Sequence, residues 1–244
     1  MDNPRVPTDI APMKELTSQA KIARMTNMMI PRSHHHYIVL SLINRWIRDV
    51  ALPEASGVLL DYGCGGQPYR SLFETRVHKY IGADINAAIG INLDLVITPG
   101  SPLALECQSV DTVLSTQTLE HVYDFRCYLS ESRRVLRPGG TLILTVPMQW
   151  RMHEAPFDYW RFTKYGVLAT LEDLGFEVVH ISQCGGAWAL MGQLLNSHLA
   201  ERQLRSRMLM RIINRMALWL DERFPDAEET IGWMCIAKMP VLSG

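Results

Sequence analysis

The sequence predicts an α/β fold: an open, largely parallel sheet with helices on both faces. Three observations carry this. An apolar run at residues 58–60 ends on Asp61 and opens at once into Gly63, Gly65 and Gly66, after which Pro68 and Tyr69 lead into a short helix. A second apolar run, residues 80–83, ends on Asp84, about 20 residues beyond the glycines, the spacing at which a second strand presents a carboxylate to a ribose diol. Later apolar runs at 110–115 and 142–146 alternate with helical patterns at 125–136 and 164–174.

Glycines at a strand–helix turn let the backbone approach a ligand and tolerate positive φ, and the helix start that follows offers free N–H groups to an anion. A dinucleotide loop wants a third glycine or alanine where Pro68 stands, which disfavours a nicotinamide enzyme. Asp61, two residues before Gly63, suits a cationic ligand better than a pyrophosphate. A sulfonium amino acid carries an ammonium, a carboxylate and a ribose, and Asp61, the loop amides and Asp84 could meet those groups in that order. The competing reading is an ordinary strand–turn–helix.

Four segments then resemble a known family in order and spacing. Asp61 to Gly65 reads Asp-x-Gly-Cys-Gly, similar to the first motif of class I S-adenosylmethionine-dependent methyltransferases, and the pattern His-x-x-Pro-x-Asp-Tyr-Trp-Arg-Phe-Thr from His153 resembles their type-11-like subgroup. Asp84 matches their ribose-binding acid, SVDTVLSTQTLEHV at 109–122 their fourth-strand segment, and LRPGGTLILTVP at 136–147 the turn into their fifth strand. The resemblance covers residues 58–182. It implies a Rossmann-like fold with a seven-stranded, mostly parallel sheet whose last strand is antiparallel, with S-adenosyl-L-methionine as cofactor. It assigns Asp61, Gly63, Cys64, Gly65, Asp84, Ile85, Asp94 and Gln117 to that cofactor. One departure is visible: Gln67 stands where the family commonly has a third glycine, which leaves open a scaffold protein that keeps the fold without the transfer.

Composition sets limits. With 244 residues, 48% hydrophobic, the chain suffices for one sizeable α/β domain. A net charge of -1 argues against a general nucleic-acid surface. Five scattered cysteines without CxxC spacing read as reduced thiols of a cytoplasmic protein. Residues 1–12 have no apolar signal core, and no apolar run reaches the ~18 residues of a membrane span.

In chain order, residues 14–29 have helical periodicity, and residues 35–50 form a second amphipathic helix. The resemblance makes residues 1–57 a helical lid over the cofactor. His34, His35 and His36 are consecutive and point different ways on a helix, so no metal site is expected. Residues 58–185 form the cofactor-binding core. Within it, 91–94 reads as a short third strand ending near Asp94, which in the family often reaches the adenine amino group. Gln117, Glu120 and His121 follow the fourth strand at its C-terminal end, where ligands bind in such sheets. Pro138-Gly139-Gly140 is a stop and turn before the fifth strand.

The loop over residues 148–163 concentrates His153, Glu154, Asp158, Tyr159, Trp160 and Arg161. A loop this rich in aromatic and titratable groups at a strand end is poor structural filler. Aromatic faces attract a sulfonium, and His153, with His121 second, is the candidate base for an acceptor hydroxyl or amine. Glu154, Asp158, Tyr159, Trp160 and Arg161 are the candidate acceptor contacts; the competing reading makes the aromatics mere anchors. The expected acceptor is a small hydroxylated molecule, with quinone-type ring methylation or N-methylation as alternatives.

A further strand is expected at 176–182, a helical insertion at 186–230 and the last strand within 231–244. In the insertion Leu204, Met208, Ile212 and Met216 repeat every fourth residue beside Arg207, Arg211 and Arg215. That basic amphipathic pattern fits core packing, a homodimer contact or a peripheral membrane contact.

Overall fold

A computed structural model describes residues 28–85, 92–204 and 206–241. The expected helix over 14–29 lies outside these, apart from Met28 and Met29, which are not helical. The described chain begins with α1 (Tyr37–Trp46), which continues through a wider π-type turn (Ile47–Ala51) to Leu52–Glu54, beyond the expected end at residue 50. There follow β1 (Val58–Tyr62), α2 (Arg70–Phe73), β2 (Lys79–Asp84), β3 (Leu95–Val96), β4 (Val110–Thr116), a 3-10 turn (Leu119–His121), α3 (Phe125–Val135), β5 (Leu136–Pro147), α4 (Lys164–Asp173), β6 (Glu177–Gln183), α5 (Ala187–Glu201), α6 (Arg207–Arg223) and β7 (Gly232–Lys238).

The seven strands form one sheet in the order β3-β2-β1-β4-β5-β7-β6. The first five are mutually parallel, and β7 runs antiparallel to both β5 and β6. Alternate strand residues feed two cores, as the two-residue period requires. Leu60, Val113, Leu142 and Leu144 pack on one face with Tyr128, Leu129, Val167 and Leu171 of α3 and α4. Leu59, Leu114 and Ile143 pack on the other with Ile38, Leu42, Trp46, Phe73, Leu190 and Ala217 from α1, α2, α5 and α6. Residues of the expected lid and insertion thus complete a face of the sheet instead of standing apart from it. The strand-edge loops meet the first helix twice: His36, just before α1, lies with its ring centroid 5.4 Å from that of Trp150, and Asn44 accepts the Tyr69 hydroxyl at 3.1 Å.

Three expectations need correction. The third strand is Leu95–Val96, not 91–94, because the ladder to β2 pairs Ala83 with Leu95 and Asp84 with Val96. The turn at Pro138 is a local bulge: Leu136 already pairs with Val110, and the register resumes at Thr141 opposite Thr112. The insertion is two helices, with Leu204 in their connection. α6 buries Met210, Asn214 and Ala217, while Met208 (73% exposed) and Met216 (57%) of the proposed stripe face outward. Buried Asn214 is satisfied by Asn196 and by the carbonyls of Arg32 and His34.

Candidate functional site

β1, β2, β4 and β5 end along one edge, and the last residues of these strands and the loops leaving them carry the candidate residues described above. The loop after β1 is fixed by backbone bonds: the Gly63 and Cys64 amides both donate to the Ala83 carbonyl. Gly63 has φ +78°, and a Cβ there would lie 2.2 Å from Thr118, so only glycine allows this approach. Gln67, in the place of the third glycine, itself adopts φ 56°. Its amide folds over Gly82, donates to the Asn92 carbonyl and accepts from Arg70. The departure from the family pattern therefore adds a brace to the loop.

Asp84 receives the Gly65 amide on one carboxylate oxygen and the Ile85 amide on the other, each at 2.7 Å. Both bonds orient the carboxylate and leave further lone pairs for a diol. Ile85 is exposed beside it. Asp61 is buried, accepts the Tyr80 hydroxyl on one oxygen, and has no partner for the other. Burial drives its carboxyl up from 3.8 to about 7 against the opposing Tyr80 bond, with the Asp84 charge adding to the rise. An orphaned, buried carboxylate oxygen beside glycine amides and an oriented second carboxylate fits a ligand bearing both an ammonium and a ribose. Cys64 is buried, and burial raises its thiol well above the ordinary range, so it is a wall and not a nucleophile.

Two expected cofactor contacts also hold bonds within the protein. One oxygen of Asp94 takes the Gly82 amide (2.8 Å) and the Arg70 guanidinium (3.2 Å). Gln117, at φ 51°, directs its amide to the Thr145 hydroxyl (3.1 Å).

Past Gln117, the 3-10 turn joins two parts of the edge. The Thr118 hydroxyl donates to the Gly63 carbonyl (3.2 Å), while the Glu120 carbonyl accepts the amides of Tyr159 (2.9 Å) and Trp160 (3.2 Å). The loop after β5 is thereby latched to the turn. Its other anchors are Arg161, which grips Asp158 with two N–H groups and caps the carbonyls of Trp150 and Arg151, and the Trp160 indole N–H, bonded to Val122 and Tyr123 carbonyls. Against burial, the bond from Arg161 holds the Asp158 carboxyl down at about 2. Tyr159 stacks edge-on with Tyr123 at 5.5 Å. Trp160 and Arg161 thus serve the loop's own architecture, while Trp160, Tyr159 and Glu154 all keep exposed faces.

His121 and His153 meet edge-to-face with centroids 4.7 Å apart. Nδ1 of His121 lies 2.8 Å from the Phe157 carbonyl, and its Nε2 is 3.9 Å from both Glu120 and Glu154 carboxylate oxygens. Burial lowers the His153 pKa, outweighing the attraction of Asp158, so its ring is neutral near pH 7. Glu120 is fully buried, with neither carboxylate oxygen partnered, and burial lifts its carboxyl to about 8. Sequence placed Glu120 at the edge but carried no sign of its isolation. Tyr80 and Thr118 were missed altogether, since each acts through a residue remote in sequence.

Comparison with known proteins adds the family. A methyltransferase domain model matches residues 60–144. Ubiquinone biosynthesis O-methyltransferase from Cereibacter sphaeroides strain ATCC 17029 is 32% identical over 120 residues, covering 44% of this chain and 49% of that protein. The protein of the same name from Roseobacter denitrificans is 32% identical over 117 residues, 43% and 47% of the respective chains. This chain thus spans about half the length of the curated relatives it matches. Among solved structures, an S-adenosylmethionine-dependent methyltransferase from Archaeoglobus fulgidus aligns with TM-score 0.52 at 19% identity, over 82% of this chain and 94% of that one. A [4+2]-cyclase aligns with TM-score 0.54 at 17% identity, over 83% and 82%. At those identities the structures speak for the fold, and the cyclase illustrates that one fold hosts different reactions. Strand order, glycine loop, paired acids and matched domain agree: residues 60–144 are similar to methyltransferase domains, and the sheet has the fold of S-adenosylmethionine-dependent methyltransferases.

Proposed function

We propose that this protein transfers the methyl group of S-adenosylmethionine to an oxygen of a small hydroxylated molecule. One observation carries the reading. Thr118 and Glu120, two residues apart, tie the glycine loop to the titratable loop after β5, so donor and acceptor groups share one edge. The donor supplies a methyl group already activated on a sulfonium, so alignment of the reactants provides much of the catalysis.

In this reading Asp61 faces the donor's ammonium, Gly63, Cys64 and Gly65 enclose its amino-acid end, and Asp84 holds the ribose with Ile85 against the base. Asp94 and Gln117 support that pocket through their bonds to β2 and β5. Glu154, Asp158, Tyr159, Trp160 and Arg161 shape the acceptor side. His153, neutral through burial, accepts the hydroxyl proton, and His121 stands beside it as the second candidate.

A phenolic, quinone-type acceptor is the second reading. It is favoured by the relatives' printed name and by exposed Met208, Ile212, Met216 and Trp219 along α6, next to Arg207, Arg211 and Arg215. That face would meet an anionic membrane bearing a lipophilic acceptor, or a second copy of the chain. Among the described residues no helix is long and apolar enough to cross a membrane.

The test is calorimetric titration with S-adenosylmethionine and S-adenosylhomocysteine, with NAD as control, followed by donor consumption over hydroxylated sugars, metabolites and phenols. Binding of the first two ligands alone is expected. Binding of neither removes the methyltransferase reading. Binding without consumption over the acceptor panel and cell extract favours a scaffold.

A further inference from the structure

We propose that Glu120, His121 and His153 bind a divalent first-row transition cation of the zinc class, at the acceptor side of the donor loop. Each residue offers one ligand atom, and the three atoms lie within 4.8 Å of one another. Two imidazoles and a carboxylate are a donor set suited to zinc or iron(II), with open positions left for an exchangeable oxygen ligand.

The environment supports more than proximity. Glu120 is completely buried with both carboxylate oxygens lacking a hydrogen-bond partner, an arrangement that costs several kcal/mol if the group is charged and alone. A carboxylate becomes favourable in such a place when it is paired or coordinates a metal. Both imidazoles also carry the outer contacts typical of metal-ligating histidines. Nδ1 of His121 is 2.8 Å from the Phe157 carbonyl, which assigns its proton there and turns Nε2 toward Glu120. Nδ1 of His153 lies 3.3 Å from the Arg151 carbonyl and 3.4 Å from Asp158, itself locked by Arg161. That again frees Nε2 as the ligand atom. The backbone already holds the two parts of the set together, since Glu120 and the loop bearing His153 are joined through the Tyr159 and Trp160 amides.

The position gives the cation a task, and this part rests on the methyltransferase reading. The turn that carries Glu120 touches Gly63 of the donor loop through Thr118. An acceptor hydroxyl in an open coordination position would be acidified by the cation. Its proton would pass to Glu154, whose carboxylate lies 3.9 Å from His121 and is half exposed. The acceptor oxygen then forms the new bond to the methyl carbon as the carbon–sulfur bond breaks, with that electron pair going to sulfur. His153 would act through the cation instead of taking the proton itself.

Zn²⁺, and Co²⁺ as a coloured stand-in, would be titrated into chelator-treated full-length protein by calorimetry and visible absorption. One equivalent is expected to bind. Affinity should fall at least the ten- to hundredfold that loss of even an outer contact costs in His153→Ala and in His121→Ala, each checked for folding by thermal melting and circular dichroism. A variant with His34, His35 and His36 all changed to Ala should bind as the parent does. Absence of binding overturns the site. So does binding that survives in both single variants or disappears with the three consecutive histidines. Donor titration of the chelated parent runs alongside, so a failed cation site and a failed donor site give separate results.

Discussion

Asp61→Asn tests the buried acid at the end of β1. The carboxyl rises from 3.8 to about 7 chiefly through burial. The folded state therefore holds a proton that the unfolded chain has released between those values. Stability contributed by that proton is full below about pH 4, falls as pH rises, and is gone above about pH 7, with a slope of about 1.4 kcal/mol per pH unit. Between about pH 5 and pH 8 this amounts to about 2–3 kcal/mol. Asparagine keeps the Tyr80 contact and cannot ionise. Urea unfolding at the two pH values should show the parent losing about that much more stability than the variant. An equal loss in both proteins would refute the assignment of a raised pKa. The same residue should couple donor binding to protons, because an ammonium beside the orphaned oxygen favours the ionised acid. Parent affinity for S-adenosylmethionine should rise from about pH 6 to pH 8 by up to about tenfold, and Asp61→Asn should flatten that rise.

Three other outcomes follow from the geometry. Asp84→Ala removes the acceptor of the Gly65 and Ile85 amides, and should weaken donor binding at least tenfold while shifting the melting temperature only slightly; unchanged affinity in the folded variant removes Asp84 from the site. Gly63→Ala places a Cβ 2.2 Å from Thr118 at φ +78°, and should cost about 1–3 kcal/mol in stability along with donor binding, read by denaturant titration and calorimetry; a neutral result would show that the loop can open away from the turn. Changing Met208, Ile212 and Met216 together to Ser should leave stability within about 1 kcal/mol, since all three side chains face outward, while abolishing sedimentation with anionic vesicles or dimerisation; a large loss of stability would put them in the core.

The strands and their terminal acids were legible because strands covered on both faces read as unbroken apolar runs, and the glycines mark the turn. β3 was misplaced because residues 91–97 offer several apolar stretches, and the choice between them lies in hydrogen bonds to Ala83 and Asp84. The stripe on α6 misled for a related reason. Its fourfold spacing is regular, yet the buried face includes Asn214, whose acceptance depends on carbonyls at Arg32 and His34 and on Asn196. At the site, the residue types in the loop after β5 were readable. The anchoring parts of Trp160 and Arg161 depend on which carbonyls lie opposite, and spacing does not encode that. Glu120 is the sharpest case: its isolation exists only once the loop has closed over the turn.

The insertion of β7 between β5 and β6 constrains the order of assembly. Among the described residues β6 has no strand neighbour except β7, and the outer edge of β5 gains its partner through pairs such as Pro147 with Gly232 and Leu142 with Ala237. Until residues 232–238 arrive, that edge offers a row of unpaired backbone groups on an apolar strand, a template for wrong pairing with another chain. Both α5 and α6 lie between β6 and β7 in sequence. Completion of the sheet therefore requires closing a long loop, a step that high contact order makes slow. Refolding yield should accordingly fall with protein concentration well before native stability does, and lesions in β7 should surface first as aggregation during synthesis.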